Sequence, residues 1–404
     1  MLVSGNLCVR VFDESAILKA VELLHESSKD YVDIDDIGDS SVRGIANVTT
    51  EGTLDMGDFF AILSSQPSKT LRTALGFPAD DPDGVSLEFK VRHLGGHVVA
   101  MVRIIPTNST YDPNQPKDVH IGGLWHTASV YSAGAIDFAI KENREMILVD
   151  SIGVGGSAIA ANDTIDYDKI VSILRAIESA ANGKVRYLFG HSLGSLPVRH
   201  AFWQKLSGEE SIAEYYVPIG VVPGPLEERA GFKMNPWFSQ FSTPNVLFGN
   251  LAPNSARRFF GNHSKDEQIS LRERTQKQRY PINLFGFSGA LLEIANRPLI
   301  DFIGNDPSLI VVMTGDDSVM ELSNPEEWKR SGIIFLTGGD HSCMAGEEAS
   351  KKYWEELRVA LHERTDLNLP YMEPDAMMTR LKAEAALALE FDSKFRGNVG
   401  LTGE

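Results

Sequence analysis

The sequence predicts an α/β protein built on a mostly parallel central sheet with helices on both faces. Two observations predict it. The short runs MILVD (146–150), VRYLFG (185–190), LIVVMTG (309–315) and GIIFLTG (332–338) are almost continuously apolar, as strands buried on both faces must be. Before, between and after these runs lie segments of helical spacing, at 132–143, 167–181, 196–205 and 347–364. In sheets of this kind the ligand site lies beyond the carboxyl ends of the strands, so the loops that follow these runs are where chemistry is expected.

Taken in order, residues 14–26 read as an amphipathic helix with Asp13 as its N-cap, followed by an acidic, polar stretch over 31–44 and a short helix over 56–63. From residue 87 the pattern changes. LEFKVRH and HVVAMVRII form a strand pair about Leu94-Gly95-Gly96, since paired glycines tolerate the positive φ of a tight turn. A proline-containing polar loop leads to VHIGGL, a short strand that ends in glycines. The helix at 132–143, the strand MILVD, the helix at 167–181, the strand VRYLFG and the helix at 196–205 follow, and 215–222 reads as a further strand. The segment 226–301 breaks this rhythm: it carries Phe232, Trp237, Phe238, Phe241, Phe248, Phe259, Phe260, Phe285 and Phe287 without a strand period, and reads as an insertion lying over the sheet as a cap. After the last two apolar strands come the long helix at 347–364 and a C-terminal helix at 375–389. The expected organisation is an N-terminal extension (1–85), a first part of the core (86–225), the cap (226–301), and a second part of the core with the C-terminal helices (302–404).

The chain of 404 residues has a net charge of −17 and is 43% hydrophobic, long enough to bury a core without staples. That charge argues against a nucleic-acid binder, which needs a basic footprint for phosphates. The two cysteines, Cys8 and Cys343, exclude a disulfide framework and a cysteine-based metal site. The N-terminus lacks the basic start and apolar run of a signal peptide, and no stretch reaches the roughly 18 apolar residues of a membrane span, so a cytoplasmic protein is expected.

Gly190-His191-Ser192-Leu193-Gly194 fits G-x-S-x-G, and its setting between an apolar strand and a helix is what makes the match meaningful. A serine on a strained strand-to-helix turn projects its hydroxyl at the sheet edge, and glycines on either side let backbones approach. The stretches MILVDSIGVGGSA and VRYLFGHSLGSLPV together resemble the α/β-hydrolase superfamily, and Gly-His-Ser-Leu-Gly is most similar to its lipase, esterase and thioesterase branches. The resemblance spans about residues 87–364. It implies the α/β-hydrolase fold, with Ser192 as nucleophile and the acid and histidine following in that order. Of the ten histidines, only His341 lies in the loop directly after the last predicted sheet strand, and it is the expected base. Asp317 is favoured as the acid because Ser318-Val319 continues as the family does, with Asp316 as the alternative. His191, beside the nucleophile, is read as a shaping residue. The oxyanion donors implied are the amides of Leu193 and Gly123; Ile121 stands where the family has histidine, which leaves the register of this loop open by one residue. His120, Trp125 and His126 line the same region or simply pack.

The function expected is hydrolysis of a carboxylic ester or thioester with an apolar portion. An acyltransferase using the same triad, and a non-catalytic binding module on the same fold, are the alternatives. No cofactor and no metal are implied: Gly153-Val154-Gly155 lacks the rest of a dinucleotide fingerprint, and there is no H-E-x-x-H. The expected partner is a small acyl substrate, and the N-terminal extension is a candidate surface for a protein partner or self-association.

Overall fold

The computed structural model describes residues 31–33, 53–55, 69–74, 76–94, 97–123, 126–151, 157, 167–220, 299, 306–314, 333–336 and 339–365. The elements are β1 (Tyr31–Asp33), β2 (Thr53–Asp55), α1 (Lys69–Ala74), β3 (Val85–Leu94), β4 (His97–Pro106), β5 (Lys117–Ile121), α2 (Ala128–Glu142), β6 (Met146–Val149), α3 (Tyr167–Ala181), β7 (Val185–His191), α4 (Ser195–Leu206), β8 (Ala213–Ile219), β9 (Val311–Thr314), β10 (Ile333–Leu336) and α5 (Glu348–Thr365). The helices read at 14–26, 56–63 and 375–389 lie outside the described residues, as does all of the cap but Leu299. β1 and β2 pair as a small antiparallel ribbon within the stretch read as an extension.

The remaining strands form one eight-stranded sheet in the order β10-β9-β8-β7-β5-β6-β4-β3. β4 runs antiparallel to both its neighbours, and the other pairs are parallel. This order with a reversed second strand is the topology of the α/β-hydrolase fold. The strand pair about residues 94–97 is present as expected, with Leu94 opposite His97.

The continuous apolar runs are explained by two cores, one on each face. Met146, Leu148, Phe189, Val217 and Val312 pack with Tyr131 and Phe138 of α2 and Trp354, Leu357 and Leu361 of α5. Ile147, Val149, Leu188 and Val311 turn the other way, onto Ile170, Ile173 and Ile177 of α3 and Val198 and Phe202 of α4. Alternate residues of one strand thus enter different cores, and a polar residue at either parity would be buried.

The connections place the site. The chain leaves β5 through α2 to β6 on one side, then returns through α3 to β7 on the other side of β5. The connections after β5 and β7 therefore start side by side and lead to helices on opposite faces of the sheet, a switch point of the kind where ligands bind beyond the strand ends. At the opposite end of the same strands, Arg186 of β7 grips buried Asp118 of β5 through Nε (2.8 Å) and Nη2, and reaches Glu142 at 2.9 Å. Burial pushes the Asp118 carboxyl up, and the guanidinium beside it works against that shift.

Gly134 shows how closely α2 and α5 approach. A β-carbon there would lie 2.2 Å from Trp354 Cδ1 and 2.6 Å from the Ser350 carbonyl oxygen. Helix propensity alone favours alanine over glycine by about 1 kcal/mol, but here the clash dominates. Gly134→Ala is expected to destabilise the protein by about 1–3 kcal/mol, read as a lower denaturation midpoint in urea; an unchanged or higher midpoint would mean that the helices are not held this close.

Candidate active site

β7 ends at His191, and the chain turns through a short 3-10 segment, Ser192–Gly194, into α4. Ser192 sits at φ +51°, in the left-handed region that a non-glycine residue enters only under constraint. The constraint is backbone contact. A β-carbon at Gly190 would meet the Gly194 carbonyl oxygen at 2.2 Å, and one at Gly194 would meet the carbonyl oxygens of Ile121 and Gly122 at 2.4 and 2.5 Å. Both glycines of the motif are thus required by main-chain atoms, which cannot rotate away as a side chain could.

His341 comes from the turn after β10. Its Nε2 lies 2.9 Å from Ser192 Oγ, hydrogen-bond distance for a base that takes the hydroxyl proton. The loop carrying it is set by its own bonds. Asp340 Oδ1 accepts the Ser342 N–H at 3.0 Å, an Asx turn, and the Asp340 carbonyl accepts the Cys343 N–H at 3.2 Å. The Gly346 N–H donates to the Val130 carbonyl at 2.9 Å, which ties this loop to the first turn of α2. Asp340 is buried next to His341 in the chain and was not among the residues read from sequence. Asp316 and Asp317 lie outside the described residues.

The loop after β5 approaches the same point. A β-carbon at Gly123 would fall 2.9 Å from His191 Nδ1 and 3.3 Å from Ser192 Cβ, so only glycine fits against Ser192 there. The Gly123 N–H donates to Tyr131 Oη at 3.0 Å, and that hydroxyl lies 2.9 Å from His191 Nδ1. His191 Nε2 is 2.5 Å from the His341 carbonyl oxygen. Asp150, at the end of β6, accepts the Ala128 N–H at 2.6 Å and so caps α2 from a distant strand. That cap lets α2 begin at Ala128, four residues before the helix read from sequence at 132–143.

The neighbouring histidines differ in role. His120 is buried between Tyr131 (ring centroids 4.4 Å apart) and Trp354 (5.3 Å). Burial, with His191 nearby, holds its imidazole well below the usual range and therefore neutral. It packs behind the site. His126 lies 6.0 Å from the His191 ring and 5.9 Å from that of Tyr131, and Trp125 lies outside the described residues. Burial also pushes the Tyr131 phenol up, so it stays protonated. Among the described residues no cluster of His, Cys, Asp or Glu is placed to hold a metal, and no helix is long and apolar enough to cross a membrane. A strained serine at the carboxyl edge of a hydrolase-type sheet, with an imidazole nitrogen in hydrogen-bond reach, has the general character of a serine hydrolase.

No protein-family model matches the chain, and no curated protein sequence matches it. Among solved structures it is similar to a carboxylesterase of the thaumarchaeon Nitrososphaera gargenis, with 15% identity, a TM-score of 0.49, and 69% of this chain and 99% of that one covered. It is similar to a bromoperoxidase from Bacillus anthracis at 15% identity and a TM-score of 0.49, covering 69% and 99% of the two chains. It is also similar to an esterase from Rhodococcus sp. ECU1013 at 14% identity and a TM-score of 0.47, covering 68% and 98%. Likenesses of this order, spread over proteins of different activities, assign no reaction to this chain.

The strain at Ser192 has a measurable consequence. Glycine adopts this φ without steric cost, whereas alanine keeps the β-carbon that opposes it. Ser192→Gly is expected to be more stable than Ser192→Ala by about 1–2 kcal/mol in paired urea denaturations. Equal stabilities, or the reverse order, would show that the elbow is relaxed.

Proposed function

We propose that this chain is a serine hydrolase that cleaves a carboxylic ester or thioester with an apolar portion through an acyl-enzyme at Ser192. The observation that carries the reading is the 2.9 Å contact between His341 Nε2 and a Ser192 hydroxyl presented on a strained elbow. Ser192 Oγ attacks the carbonyl carbon while His341 Nε2 takes its proton. The tetrahedral oxyanion is held by the Leu193 amide, in the 3-10 turn that leads into α4, where the helix end adds positive potential. The Gly123 amide is the second proposed donor; it shares its hydrogen with Tyr131 Oη in the resting site. Collapse expels the alcohol or thiol with the proton from His341, and water activated by the same nitrogen releases the acid.

Asp317 is proposed to orient the imidazole, with Asp316 as the alternative. The Asx turn that Asp340 makes with Ser342 suits it to shaping the histidine loop. The apolar portion of the substrate rests on the aromatic content of residues 226–301, proposed as a cap inserted in a core that runs over 86–225 and 302–404.

The test is labelling of the folded protein with a fluorophosphonate, wild type beside Ser192→Ala and His341→Ala. Labelling of wild type alone, with the adduct on Ser192, is expected. Folded wild type that takes no label would remove the hydrolase reading in favour of a binding module. With p-nitrophenyl esters, kcat/KM is expected to rise with acyl length; a preference for acetate over longer chains would remove the apolar portion.

The acid is assigned by amide substitution. Asp317→Asn is expected to lower kcat by about 10³–10⁴-fold, the scale set by mis-orienting the imidazole of a triad, while Asp316→Asn stays within about threefold of wild type. The opposite pattern would give the role to Asp316.

A further inference from the structure

The buried polar groups beneath the elbow form a chain whose directions follow from donor and acceptor chemistry alone. A carbonyl oxygen only accepts, so the 2.5 Å contact with the His341 carbonyl requires a hydrogen on His191 Nε2. A neutral imidazole protonated there has a lone pair on Nδ1. An amide N–H only donates, so Tyr131 Oη accepts from Gly123, and its own hydrogen is left for His191 Nδ1, 2.9 Å away. Gly123 N–H, Tyr131 O–H and His191 Nε2–H then all point toward the His341 carbonyl. A doubly protonated His191 would set two hydrogens toward Tyr131 Oη, the one from Gly123 and its own, and the phenolic hydrogen would lose this acceptor. One tautomer of His191 satisfies the chain, and it is the neutral Nε2–H form.

Both ends of the chain belong to working loops. One end is the backbone of the residue whose Nε2 faces Ser192 Oγ. The other is the amide proposed for the oxyanion, in a glycine whose absent β-carbon would lie 2.9 Å from His191 Nδ1. The two linking side chains, Tyr131 and His191, are fully buried, and a buried polar link of this kind is costly unless each group is paired. We infer that His191 is a positioning residue: through Tyr131 it ties the Gly123 loop to the backbone of His341, so that the base and the oxyanion side of the site keep one spacing. The inference rests on the serine-hydrolase reading for its kinetic consequence, but the tie itself is a statement about a tautomer. A role in filling space alone would be met equally by an aromatic ring of similar size.

The test uses the full chain. With 15N-labelled histidine, long-range 1H–15N spectra are expected to show His191 as the neutral Nε2–H tautomer, its signals assigned by their loss in His191→Gln. In assays with p-nitrophenyl acetate, His191→Phe is expected to lower kcat by about 10–100-fold, the scale of a small misplacement of reacting groups, with KM within about threefold. His191→Gln keeps an N–H that can reach the His341 carbonyl and is expected to retain more kcat than His191→Phe. Tyr131→Phe combined with His191→Phe is expected to cost little more than His191→Phe alone, because the two act through one chain. An Nδ1–H tautomer, or a folded His191→Phe with wild-type kcat, overturns the proposal. If His191→Phe does not fold, a lower kcat in His191→Gln and in Tyr131→Phe supports the tie, and unchanged kcat in both overturns it. If folded wild type takes no fluorophosphonate, the hydrolase reading has failed on its own, and the tautomer decides the tie alone.

Discussion

At the elbow, three stretches of main chain come closer than any side chain would allow. The carbonyl oxygen of Gly194 occupies the space of a β-carbon on Gly190, and the carbonyl oxygens of Ile121 and Gly122 occupy that of a β-carbon on Gly194. This contact between the end of β5 and the turn after β7 holds Ser192 at φ +51° and keeps its hydroxyl at the strand end. The energetic cost of a left-handed serine is small beside what a packed sheet supplies, and it is carried where it has a use. A relaxed turn would let the hydroxyl fall away from His341.

The other parts of the molecule bring loops to that point. The switch of direction about β5 sends the helices after β5 and β7 to opposite faces of the sheet while their first residues stay in contact, and the parallel run out to β10 delivers the histidine turn from the far edge. Each loop is then tied to something rigid. The Gly123 loop leads into α2, whose first amide is held by Asp150 from β6. The histidine loop is fastened to α2 through Gly346 and Val130, and α2 is pressed against α5 at Gly134. Helix α2 is therefore the common support of both loops flanking Ser192. The charged lattice of Arg186, Asp118 and Glu142 sits at the other end of the strands, away from the chemistry.

Much of this was legible in the sequence. The central strands could be read because burial on both faces leaves almost no polar residue in runs such as MILV and VRYLFG, and α3 was read to its ends because its apolar spacing is regular. Ser192 could be read because its motif encodes a backbone requirement, glycine where no β-carbon fits, and such requirements are written in residue identity. The start of α2 could not be read, because Thr127 gives it no side-chain cap and the acceptor is Asp150, 22 positions away. Tyr131 drew no attention, since an aromatic at helical spacing looks like core, which it also is. His191 was read as a shaping residue, without any means of knowing what it touches.

The sequence by itself determined the alternation of strands and helices, the place of the strained serine turn, and the histidine turn that faces it. These depend on periodicity and on local steric demands, which neighbouring residues carry. The tertiary structure decided which groups share hydrogens: that the Gly123 amide rests on Tyr131, that His191 reaches the His341 backbone across 150 residues, and that Asp150 closes the end of α2. Hydrogen bonds of that kind are set by distance and direction in space, and residues far apart in the chain carry no mark of them until the sheet has brought their loops together.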